Sequence, residues 1–162
     1  MKLVVWLLIL AGLSSGVLAA EEDWMRSEPN AQELAAIESC LKKEIGVVKR
    51  RRCIGLVVDP CRATQDGATT LGRNACIGRE GGIWDTILNR QYRQLSAALD
   101  DEGRADLKKA QQAWLHFRKH ACGWSYHVYR GGSFGGALSG ECDMDKIAIR
   151  AIDLMEIFDN IQ

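Results

Sequence analysis

Apolar residues recur every three or four positions along most of the chain, which is the spacing of one face of an α-helix. The pattern predicts four helices, and the first runs from an N-cap at Asn30 through Leu34 and Ile37 to Lys43. The predicted inner faces of the three longer helices are Trp84, Ile87, Leu88, Tyr92, Leu95 and Leu99; Leu107, Ala110, Trp114, Phe117, Ala121, Trp124 and Val128; and Ile147, Ala151, Leu154, Phe158 and Ile161. Strand-like alternation is scarce. The sequence therefore predicts an all-α fold, a small bundle of about four helices.

The sequence predicts the structure of some segments between these helices more clearly than that of others. Residues 46–60 fit either a short helix or an extended buried segment, and residues 64–70 have the composition of a loop. Thr70 is a suitable cap for the second helix. Residues 130–136, Arg-Gly-Gly-Ser-Phe-Gly-Gly, are the strongest loop signal in the chain and are predicted to join the last two helices.

Residues 1–19 have the pattern of a secretory signal peptide. Lys2 supplies the positive start, the following residues to Leu13 are almost wholly apolar, and small residues precede a predicted cleavage after Ala19, with Ala20 as the alternative. The apolar run is short compared with the roughly 20 residues that span a bilayer. No cysteine lies at the junction for a lipid anchor. We expect a protein of the periplasm or exterior that has no membrane attachment after cleavage.

Six cysteines lie in the part that would be exported, and an even number in an exported chain predicts a disulfide framework. Zinc is the less favoured interpretation, because the chain has no pair of cysteines separated by two residues. Pairing of sequence neighbours predicts the disulfides Cys40–Cys53, Cys61–Cys76 and Cys122–Cys142. The last pair is the firmest because it flanks the loop between two helices, whereas the partners of the first four cysteines could be exchanged.

Charge and titratable residues argue against two functional classes. Lysine and arginine together number 21, as do aspartate and glutamate, so the near-neutral chain lacks the excess of cations that nucleic-acid binding needs. His116 and His120 have the i, i+4 spacing of a metal-binding helix, but Phe117 stands where a metalloprotease has its glutamate. We therefore predict no metal, no cofactor and no catalytic site.

Four polar residues lie beside the apolar stripes of the second and third helices. A carboxylate, an amide and a guanidinium in such positions can satisfy one another between two helices. We expect a structural polar network in which Arg118 pairs with Asp85 or Glu80. The network comprises Glu80, Asp85, Asn89 and Arg118.

The order and spacing of these residues resemble a bacterial exported family, the lysozyme inhibitor LprI-like, N-terminal domain. The resemblance is carried by Cys76-x3-Glu80-x4-Asp85-x2-Leu88-Asn89-x2-Tyr92-x2-Leu95, by Gln111-x2-Trp114-x2-Phe117-Arg118-x3-Cys122, and by Gly131-Gly132-Ser133, Cys142, Arg150 and Leu154. Lys119 and Lys146 depart from the residues that are usual in the family. The resemblance implies a helical domain over residues 61–156, preceded by a helical extension over 20–60 that contains Cys40 and Cys53, with residues 157–162 as the end of the last helix.

The family resemblance also implies inhibition of lysozyme in at least part of the family. The alternative is a non-enzymatic accessory protein of the cell envelope with no affinity for lysozyme. The sequence leaves the oligomeric state open. For the inhibitor, the candidate contact joins the Gly-rich segment to the acidic residues that follow it: Arg130, Gly131, Gly132, Ser133 and Phe134, with Glu141, Asp143 and Asp145.

Overall fold

The computed structural model describes residues 28–162, so the predicted signal peptide and the first part of the extension lie outside the described residues. Between 28 and 162 the chain forms helices and no strand, which confirms the all-α fold class. Four helices are long and match the four predicted ones; the other two are of four and five residues. The helices are α1 Ala31–Lys43, α2 Val47–Arg50, α3 Val58–Arg62, α4 Thr70–Ala98, α5 Asp101–Val128 and α6 Ser133–Asn160, with a 3₁₀ turn at Arg51–Cys53.

Polar side chains cap three of the four long helices. Asn30 and Glu33 form a capping box at the start of α1, in which each side chain accepts a hydrogen bond from the other residue's backbone N–H. The cap of α4 is Thr69, one residue before the predicted Thr70. Asp100 caps α5 by accepting from the N–H of Gly103 at 2.8 Å. Only two residues separate α4 from α5, so the two helices are antiparallel neighbours.

Helices α4 and α6 form the centre of the molecule. Ile77 lies against Gly140, and a Cβ atom on Gly81 would lie 3.8 Å from the side chain of Met144, so α6 runs alongside α4 in the same direction. The largest fully buried side chains of the core come mainly from these two helices: Ile83, Trp84, Ile87, Leu95, Ile152 and Leu154, joined by Ile37 and Val58.

Helix α5 lies at the edge of this pair and is less buried than the sequence predicted. Leu107 and Trp114 pack against the core as expected. However, Phe117, Trp124 and Val128, from the predicted inner face, are each more than half exposed. The reason is geometric: α5 packs mainly against α6, and one neighbour covers a narrower stripe than its apolar residues occupy.

The ambiguous segment 46–60 contains short helices, and the side chain of Glu80 on α4 binds it to the core. This fully buried carboxylate accepts hydrogen bonds from the backbone N–H groups of Gly55, Val57 and Val58 at 2.7–3.0 Å. The nearly buried Arg50 pairs with two carboxylates at the end of α6, Glu156 at 3.1 Å and Asp159 at 2.6 Å.

Three disulfides link neighbouring segments, and their pairing agrees with the prediction: Cys40–Cys53, Cys61–Cys76 and Cys122–Cys142. The first joins α1 to the 3₁₀ turn, the second joins α3 to α4, and the third joins α5 to α6. Every element of the described chain except α2 therefore carries a cross-link. None of the helices within residues 28–162 is both long and apolar enough to cross a membrane.

Candidate interaction surface

The connection between α5 and α6 is a tight turn rather than the seven-residue loop that the sequence predicted. Helix α5 continues to Val128 and α6 begins at Ser133, so Phe134, Gly135 and Gly136 are helical. Gly135 allows the two helices to approach closely, because a Cβ atom there would lie 2.9 Å from the Cβ of Tyr129. The glycines that suggested a flexible loop thus serve partly to pack a helix.

The turn itself is closed by backbone hydrogen bonds. The N–H of Gly131 donates to the carbonyl of Tyr126 at 2.8 Å, and the N–H of Arg130 donates to the carbonyl of His127 at 3.0 Å. These are the two bonds of a Schellman motif, which ends a helix with a residue in the left-handed conformation. Here that residue is Arg130, with φ of +53°.

Five large side chains around this turn are exposed to solvent. Their exposed fractions range from 46% for Tyr129 to 59% for Trp124. Phe134 packs edge-on against Tyr129, with ring centroids 5.0 Å apart, so the two rings support each other. We call this surface the aromatic end; it comprises Trp124, Tyr126, Val128, Tyr129 and Phe134.

The Cys122–Cys142 disulfide closes the base of the aromatic end. Cys122 lies on α5 just before the aromatic residues, and Cys142 lies on α6 after Phe134, with 5.4 Å between their Cα atoms. The bond fixes the separation of the two helices where they carry these side chains. The aromatic end is thus presented on a covalently closed helical hairpin.

The acidic residues of the candidate surface lie farther along α6, and two of them are already ion-paired. Glu141 pairs with Arg62 at 2.6 Å and lies 3.8 Å from Arg73. Asp143 pairs with Arg118 at 3.2 Å. These contacts hold the two carboxylates against the molecule's own arginines, so the structure does not present the three acids together as a free acidic rim.

Asp145 has a different environment. It lines a cavity of about 210 Å³ together with Arg62 and Glu141. Partial burial raises the pKa of Asp145, and the nearby negative charges of Glu141 and Glu80 raise it further. Its carboxylate is thus destabilised by its surroundings when it is charged.

The predicted polar network forms only in part: Asn89 and Asp85 bind each other, whereas Arg118 and Glu80 face different neighbours. Arg118 pairs with Asp143 on α6 and lies over the ring of Trp114 at 5.1 Å, and not with Glu80 or Asp85 as expected. Asp85 is exposed and accepts a hydrogen bond from Asn89 at 2.9 Å. Glu80 binds backbone amides in the interior. Arg118 turns towards α6 because that helix is the main neighbour of α5.

Two histidines lie on the exposed face of α5. The rings of His116 and His120 are 4.5 Å apart between centroids and, together with Phe117, line a shallow apolar groove. Within residues 28–162, no group of three or more histidine, cysteine, aspartate or glutamate side chains is arranged to hold a metal ion.

The apolar pattern does not identify Trp124, Tyr126 and Tyr129 as surface residues. It places Trp124 on the inner face of α5 and gives no position to the two tyrosines. A signal was present, because Tyr126 and Tyr129 lie off the predicted apolar stripe and a helix at the edge of a bundle cannot bury apolar residues on every side. The apolar pattern gave no such signal for the role of Glu80, since three of its four hydrogen-bond donors are backbone N–H groups.

Comparison with known proteins identifies the family. A family model described as lysozyme inhibitor LprI matches residues 61–154, which is more than half of the chain. This protein belongs to the LprI lysozyme inhibitor family. The resemblance noted in the sequence is therefore confirmed, and the range shared with LprI contains α4, α5, most of α6 and the whole aromatic end. No curated protein and no solved structure matches the chain.

Proposed function

We propose that this LprI-family protein is exported and inhibits a lysozyme by binding to it, without catalytic activity of its own. Membership of the family supports the target. The signal-peptide pattern of residues 1–19 and the three disulfides support export, since such bonds persist in oxidising compartments such as the periplasm.

The observation that carries the proposal is the exposure of the aromatic end. Exposed aromatic residues that cluster on one side of a protein are typical of binding surfaces, because rings supply large contact areas with little loss of conformational freedom. Here the rings of Tyr129 and Phe134 pack together beside a turn whose base is closed by the Cys122–Cys142 disulfide. An exposed pair of rings at a helical turn suits the concave substrate cleft of a glycoside hydrolase. Phe134 and Tyr129 are the proposed anchors.

The acidic residues have a supporting role in this proposal. Lysozymes are commonly basic, and negative charge near the contact speeds association at low salt. Glu141 and Asp143 are engaged by arginines of the same chain, so they contribute to the local field more than to direct contacts. We therefore assign most of the binding energy to the aromatic end.

The direct test is inhibition of a chicken-type lysozyme by the purified, oxidised mature protein over a series of salt concentrations. The proposal predicts inhibition at an inhibitor-to-enzyme ratio near one, with an affinity that falls only moderately as salt rises because the main contact is apolar. A reduced and alkylated sample of the same protein is the matched control and is expected to lose inhibition. Absence of both inhibition and binding across lysozyme types would favour the alternative, an accessory protein of the envelope.

A further inference from the structure

The turn between α5 and α6 places an arginine where glycine is the usual residue. Arg130 occupies the left-handed position of the Schellman motif, with φ of +53°, and Gly131 follows with φ of +71°. Residues with a Cβ atom are disfavoured in this conformation, whereas glycine adopts it freely. Glycine would therefore suit this position in the turn better than arginine does. The presence of arginine here points to a role in function and not in stability.

Arg130 also has no charged residue near it in the sequence. With histidine neutral, it is the one charged residue in the stretch 120–140. Its side chain is exposed, and none of the carboxylates in the described part of the chain forms an ion pair with it. Glu141, the next acid along the chain, is held by Arg62. Within residues 28–162, the exposed guanidinium of Arg130 is thus without an ion-pair partner, with Tyr129 before it and Phe134 four residues after it.

We infer that Arg130 recognises the catalytic carboxylates of the bound lysozyme, an inference that rests on the proposed function. Glycoside hydrolases of this type cleave their substrate with a pair of carboxyl groups on either side of the scissile bond. A guanidinium binds carboxylates through paired N–H···O hydrogen bonds, and it remains charged at any physiological pH. The flanking rings exclude water from the contact and so strengthen it. Arg130 thereby blocks the reacting groups themselves, while the aromatic end supplies the apolar contact.

The test compares Arg130→Gly with Arg93→Ala in the full oxidised protein. Arg93 is an exposed arginine near the C-terminal end of α4 and serves as the matched control. Affinity is measured by calorimetry against active lysozyme and against a lysozyme whose two catalytic carboxylic acids are replaced by amides. Thermal melting is measured on every variant, and Arg130→Gly should melt at the same temperature or higher, because glycine adopts positive φ without strain.

The inference predicts that Arg130→Gly weakens binding to active lysozyme by roughly thirtyfold, and that Arg93→Ala does not. The amide form of lysozyme should bind the wild-type inhibitor more weakly than active lysozyme does, by a similar factor. Arg130→Gly should bind the two forms of lysozyme with equal affinity. If the wild type binds and Arg130→Gly binds equally well, or if the variant's loss is the same for both forms of the enzyme, the inference is overturned while the proposed function stands. If the wild type binds no lysozyme, both are overturned.

Discussion

Trp84 donates its indole N–H to a carboxylate oxygen of Glu80 at 2.9 Å, one helical turn away in α4, and both side chains are completely buried. The same carboxylate accepts the backbone N–H groups of Gly55, Val57 and Val58. The indole therefore helps to orient Glu80 so that α4 fixes the irregular segment before α3. Four donors depend on this one side chain, which makes it a main determinant of how the N-terminal segment joins the domain.

Replacing Glu80 with alanine should strongly destabilise the protein. The change leaves four buried N–H groups without their acceptor, and each such group costs about 1–3 kcal/mol. We expect the free energy of unfolding to fall by at least about 3 kcal/mol in chemical denaturation. Glu80→Gln, which keeps one acceptor oxygen, should lose less, and Glu102→Ala on the exposed face of α5 is the control. A loss for Glu80→Ala no larger than that of the control would contradict the assigned role.

The environment of Asp145 predicts a pH-dependent effect on stability. Burial, then Glu141 and Glu80, raise the pKa of this carboxyl in the folded protein. The folded state therefore holds the proton more tightly than the unfolded state. This contribution favours folding below the ordinary aspartate pKa and is lost as the pH rises through the higher, folded-state value.

Asp145→Asn should consequently stabilise the protein at pH 7 and change little at pH 3. The gain should be less than about 1 kcal/mol, because the side chain is only partly buried. The measurement is denaturant unfolding at both pH values, with Asp66→Asn in the exposed turn before α4 as the control. Stabilisation that is equal at the two pH values, or a loss at pH 7, would show that the charge of Asp145 is not the cause.

The Cys122–Cys142 disulfide should matter for binding beyond its effect on stability. Replacing both cysteines with serine opens a loop with a sequence separation of 20, which costs about 3 kcal/mol in the chain-entropy model. Removal of Cys40–Cys53, with a separation of 13, should cost a similar amount. The neighbouring Arg50 pairs with the C-terminal end of α6, whereas Phe134 lies at its N-terminal end. We expect the first variant to lose inhibition at temperatures where it is still folded, and the second to retain it. Equal inhibition by both variants would mean that the disulfide does not shape the binding surface.

The sequence was most informative where one side chain decides a local structure. Asn30 caps α1 through its own side chain, so this helix begins where the pattern places it. The disulfide pairing followed from sequence proximity because each pair joins elements that lie within about 20 residues of each other in the chain. Such signals are local, and the sequence contains them directly.

The burial and the contacts of a side chain that depend on helix packing could not be predicted from local sequence signals. The apolar period of α5 does not reveal that its main neighbour is α6, so Trp124 and Val128 were placed in the core and Arg118 was paired with the wrong helix. The Gly-rich segment suggested a loop because glycine also occurs where two helices touch, as Gly135 does. The aromatic end is a consequence of this packing.

The most direct test of the aromatic end as the inhibitory surface is the effect of Phe134→Ala on lysozyme inhibition, with Ile157→Ala as the matched control. Both residues are exposed apolar side chains of α6, at opposite ends of the helix, so neither change should unfold the protein. If the aromatic end is the inhibitory surface, Phe134→Ala raises the inhibition constant about tenfold, equivalent to roughly 1.4 kcal/mol, and Ile157→Ala leaves it unchanged. Inhibition that survives Phe134→Ala, or that falls equally with Ile157→Ala, would contradict the assignment of the aromatic end as the inhibitory surface.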